Sequence, residues 1–178
     1  MAWGADIFAI GGQKIIIPPP EGFERVDIGD KGMIDFFQSL MPESQAVLAV
    51  MAPTNELIKY KQGLTKTPAI HWGIVVDSQG LSRFDIKSAD DFEKVKSFLK
   101  MSMEQGEYQL RDEGPEFLIY SKSEMINGAR FGQMTTVFLV KEKIITLYFH
   151  DLGDEQPSAA YLDGVSSGWR NIVLNSNK

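Results

Sequence analysis

Residues 116–150 read EFLIYSKSEMINGARFGQMTTVFLVKEKIITLYFH. Phe117 to Ser121, Met134 to Val140 and Ile144 to His150 are rich in β-branched and aromatic residues, which suit a pleated and half-buried surface. Asn127-Gly128 marks a loop after the first run, and Lys141-Glu142-Lys143 is short and polar enough for a turn after the second. Three such runs in succession predict consecutive antiparallel strands, because a parallel sheet needs a long crossover between neighbours. This meander is expected at the centre of the sheet.

Beyond it, Pro157 sits near the start of a predicted helix whose Tyr161, Val165, Trp169, Ile172 and Val173 form one apolar stripe, suited to packing on the sheet. On the N-terminal side, Ser88 precedes Asp91 and a stripe of Phe92, Val95, Phe98 and Leu99, which predicts a capped helix ending near Gly106. Ala69 to Asp77 and Gln45 to Ala52 read as strands, with Ser78-Gln79-Gly80 as a turn and Thr54 as the cap of a short helix through Tyr60. Met33, Phe36, Phe37 and Leu40 recur at helical spacing over Asp30 to Met41, and Pro42 closes that helix. The chain opens with Ile7 to Ile10 and Lys14 to Ile17 about Gly11-Gly12, a hairpin whose second strand must stop, or continue only as an edge, at Pro18-Pro19-Pro20. Gly22-Phe23 then turns the chain and sends an aromatic ring into the core. The expected fold class is α+β, a single domain over residues 1–178 with a mainly antiparallel sheet and helices packed on its faces.

A chain of 178 residues suits one core. Its net charge of -6 opposes a general affinity for nucleic acid, and Lys59, Lys61 and Lys66 read as a solvated face. The absence of cysteine removes disulfides, thiolate nucleophiles and cysteine metal sites together. No apolar run approaches the roughly 20 residues of a membrane span. The opening MAWGAD is compatible with the remnant of a cleaved leader, so a periplasmic or secreted location is expected, with a cytoplasmic one as the alternative.

Chemistry is sparsely signalled. The two histidines, His71 and His150, stand in no metal-binding spacing, and each reads first as a hydrogen-bonded strand residue. His150 beside Asp151 is the best catalytic candidate, with His71 as the other. Gly164 to Gly168 lacks the spacing of a serine nucleophile elbow and is read as a close-packing stretch of helix. Neither glycine-rich phosphate motif occurs, and the acidic groups Asp151, Asp154, Glu155 and Asp112, Glu113 do not follow a calcium loop, so no cofactor and no metal is expected.

The first strand, the passage Pro18-Pro19-Pro20-Glu21-Gly22-Phe23, and the ending Tyr161 to Ser176 after a late meander resemble the PsbP/Mog-like superfamily, including the DcrB-like envelope proteins. The triple proline and the loop from Gln62 to Pro68 depart from the family's pattern. The resemblance implies an antiparallel sheet between helices, an α-β-α sandwich, with mostly non-enzymatic roles in assembly or partner binding and no catalytic residues to carry over. The expected function is therefore a non-catalytic accessory or binding domain, bacterial and exported, whose partner is another protein. Two alternatives are a small hydrolase or lyase using His150 with Asp151, and a small-ligand carrier. An apolar-walled pocket holding either histidine would point to the enzyme, and an enclosed apolar cavity between sheet and helix to the carrier.

Overall fold

A computed structural model describes residues 7–26, 31–78, 81, 86–126, 129–152 and 159–178. The expectations about the opening residues, the turn at Gln79-Gly80, the loop Asn127-Gly128, Asp154, Glu155 and Pro157 fall outside these. The fold is α+β, built on a seven-stranded antiparallel sheet with helices on both faces.

The meander forms, with longer strands than expected. β7 (Phe117–Ile126) pairs with β8 (Ala129–Val140), which pairs with β9 (Lys143–Asp151). Lys141 and Glu142 both take positive φ, 47° and 63°, the twist that joins two strands most tightly. β9 is the middle of the seven strands, so the meander runs from the centre toward one edge, where β6 (Gln109–Gly114) closes it. On the other side β9 pairs with β5 (His71–Asp77), then β4 (Ala46–Pro53), then β3 (Phe23–Arg25) at the second edge. The passage after the prolines, read as a turn, is thus the edge strand of the large sheet. Gly22 makes the turn into it at a φ of 79°.

Cross-strand partners share a face of a sheet and successive residues alternate between faces. One face carries Trp72, Ile74, Val76, Tyr148 and Val137. α1 (Lys31–Ser39) covers one part of it through Phe37, and α3 (Ala89–Gln105) covers the other through Phe92, Val95 and Leu99. Ser88 caps α3 as expected, accepting the Asp91 backbone N–H at 3.2 Å. In β4 the pairing register shifts between Val47 and Ala49, which lets both Val47 and Val50 join this face.

The opposite face carries Val75, Phe138, Ile145 and Leu147. It is covered by α4 (Ala159–Ser176), through Trp169 and Val173, and by the separate hairpin of β1 (Ile7–Ile10) and β2 (Gln13–Ile16). The Trp169 indole N–H donates to the Pro18 carbonyl at 2.8 Å, and Asn177 bonds both the N–H and the carbonyl of Ile16. The prolines therefore end the hairpin and leave free a carbonyl that the last helix uses.

Three local expectations are corrected. Thr54 does not cap α2 (Thr54–Lys61): it is the first helical residue, and Pro53 stands at the cap without a side-chain bond. Gly164 and Gly168 do not bring α4 close to a described neighbour, since a Cβ at either would meet no described residue within 4 Å, whereas Ser166 between them is buried and hydrogen-bonded to Thr136. Phe36 and Leu40 lie on the apolar stripe of α1 and its continuation, yet they are 56% and 63% exposed.

Candidate functional site

His150 and Asp151 are neighbours on β9 and therefore face opposite sides of the sheet. The expected pair does not form. Asp151 stands across from His71 on one face, and His150 stands across from Trp72 and Gln133 on the other.

On the first side, His71 lies between two carboxylates. Its Nδ1 hydrogen-bonds Glu56 of α2, and its Nε2 lies 3.5 Å from Asp151 Oδ1. The other Glu56 oxygen accepts the backbone N–H of Ile70 at 2.8 Å and of His71 at 3.2 Å. The Glu56 hydrogen bond is the main force raising His71 above its ordinary value, against the opposing effect of burial, with the two carboxylate charges adding to it. Burial alone would raise Glu56, but the bonds from His71 and the two backbone amides outweigh it and hold the carboxyl below its ordinary value. With both ring nitrogens engaged, His71 ties α2, β5 and β9 together and has no nitrogen left for a substrate. Among the described residues no set of three His, Cys, Asp or Glu side chains is placed to hold a metal ion.

On the second side, a pocket of about 800 Å³ opens between α1 and the sheet, reaching Tyr108 just beyond α3. Trp72, Ile74 and Tyr148 form its floor, and Met33, Phe36 and Phe37 of α1 one wall. Polar atoms enter at two places. Gln45 Nε2 donates to the Tyr148 hydroxyl at 3.0 Å, so these two satisfy one another, and burial pushes the phenol up to about 12. Elsewhere Gln133 Nε2 donates to the Tyr108 hydroxyl at 3.2 Å and to Thr135 Oγ1 at 2.8 Å, beside His150.

His150 is the anomaly. Its ring lies between Phe131 and Tyr148, with centroids 5.2 and 5.9 Å away, and both of its nitrogens are buried with no hydrogen-bond partner among the described residues. No protein-family model matches this chain, and no curated protein matches it. The site must therefore be read from its own chemistry. Burial pushes the His150 imidazole down to about 4, so it is neutral near pH 7, with one N–H to donate and one lone pair to accept.

A buried polar group without a partner costs stability, and replacing it with an apolar group of similar shape removes that cost. His150→Phe is accordingly expected to raise the stability of the ligand-free protein by about 1–2 kcal/mol, read as a higher urea midpoint at unchanged slope. A lower midpoint would mean that the ring nitrogens are satisfied after all.

Sequence reasoning found both histidines and missed Glu56, Gln133, Tyr108 and the pocket itself. The one available signal was period two: a strand ending in His-Asp must send the two side chains apart.

Proposed function

We propose that this chain is a non-catalytic binding domain, and that what it binds is a small, largely apolar molecule rather than a protein surface. The observation that carries this reading is the pocket between α1 and the sheet. Its volume of about 800 Å³ falls within the roughly 300–1,000 Å³ of small-molecule sites, and its walls are mainly aromatic and aliphatic with a few convergent polar groups. The pocket does hold His150, the feature expected of a hydrolase. Among the described residues its lining supplies neither a carboxylate to orient that ring nor a serine, threonine or lysine to act as nucleophile beside it. An imidazole held near 4 is also a poor general base at neutral pH. The carrier alternative fits these walls better than the enzyme does.

The test is a titration with Nile red, an uncharged dye whose emission rises in apolar surroundings. Saturable binding of one dye per chain is expected, and Met33→Trp, which fills space at the α1 wall, should weaken it at least about tenfold, the equivalent of one lost side-chain contact of about 1.4 kcal/mol. Unsaturable binding, or binding indifferent to Met33→Trp, would refute the reading.

A further inference from the structure

Among the described residues, the lining of this pocket contains no Asp, Glu, Lys or Arg. A charged ligand group entering it would lose its hydration and find no opposite charge, which is strongly unfavourable. Among the described residues, the side-chain polar atoms of the lining that remain uncommitted are gathered at one place. His150 offers a donor and an acceptor with no partner among the described residues. Gln133, directly across the β8–β9 pairing from it, already donates both amide hydrogens, so what it can present is its carbonyl oxygen. Such a pair is complementary to a neutral group that both donates and accepts.

Resting on the pocket reading above, we infer that the ligand is an uncharged amphiphile, its hydroxyl-type head on His150 and Gln133 and its hydrocarbon body against Trp72, Ile74 and the inner face of α1. The head group completes the hydrogen bonding of a histidine that the fold alone leaves unsatisfied. The body fills the apolar remainder. The depressed basicity of His150 agrees with this, because it reports an environment in which charge is disfavoured.

Displacement of Nile red by four probes of one chain length separates the alternatives: a medium-chain alcohol, its methyl ether, the carboxylate and the amine, all at pH 7. The alcohol is expected to compete about tenfold more tightly than the ether, which cannot donate, and than either ion. His150→Phe should abolish the preference of alcohol over ether, and Gln133→Leu should reduce it. If the carboxylate or the amine competes best, or if the alcohol preference survives in His150→Phe, the head-group assignment is overturned. Equal competition by all four probes would overturn it while leaving the small-molecule pocket standing. Failure of Nile red to bind the wild-type protein saturably would remove the pocket reading and this inference together.

Discussion

Trp169→Ala is expected to destabilise the protein by about 3–5 kcal/mol, the range for emptying a buried aromatic site. Trp169 is 1% exposed and sits between the sheet and the N-terminal hairpin, in contact with a cluster that includes Ile15, Ile17, Val75 and Leu147. Its ring lies so close to β5 that a Cβ on Gly73 would come within 3.1 Å of the indole, which accounts for a glycine in the interior of that strand. Its N–H also holds the Pro18 carbonyl. The substitution therefore removes the aromatic volume and the tie to the hairpin together. Trp169→Phe keeps most of the ring and loses the hydrogen bond, so its cost should be smaller, about 1–2 kcal/mol. Urea unfolding measures both. A loss below about 1 kcal/mol for Trp169→Ala would show that the hairpin and α4 do not pack on the sheet in this way.

Such a core was largely legible in the sequence because it rests on runs that carry their own signal. Residues 74–76 of β5, 137–140 of β8 and 144–149 of β9 are buried runs rich in Val, Ile, Leu and aromatic residues, as strands covered on both faces must be. β6 was not legible: Gln109–Gly114 is a polar edge strand whose residues are exposed apart from its half-buried Gly114, so nothing in its composition marks it. β3 is only three residues long and follows prolines, which made it look like a turn. The site was less legible than the fold. Glu56 and His71 belong to different elements, and Asp151 reaches His71 only through the β5–β9 register, which no local spacing encodes. The stripe of α1 announced an apolar face but not that part of it would stand open as a pocket wall, since periodicity gives a direction and not the distance to the opposing surface.

His71→Ala carries the second large expected effect, a loss of about 3 kcal/mol near pH 6, because it leaves the Glu56 and Asp151 carboxylates without the group between them. Packing against Phe149, whose ring is stacked on the imidazole at 6.1 Å, is lost as well. The pH dependence distinguishes the charge from the packing. His71 is raised in the folded state above its ordinary value of 6.5, so its contribution is complete below about pH 6.5 and disappears as pH rises through the folded value. Glu56 is lowered from 4.5, so its contribution is present above about pH 4.5 and disappears as pH falls through the folded value. Both act together between those limits, and wild-type stability should decline on the alkaline side by an amount that His71→Ala does not show. Urea midpoints measured from about pH 5 upward, until the wild-type curve levels off, test this directly. Parallel curves for the two proteins would mean that His71 gains no proton affinity on folding and contributes by shape alone. Convergence at high pH would instead identify the imidazolium as the component that holds α2 against the ends of β5 and β9. That outcome would assign this histidine to the architecture and leave His150, on the opposite face, as the one that meets a ligand.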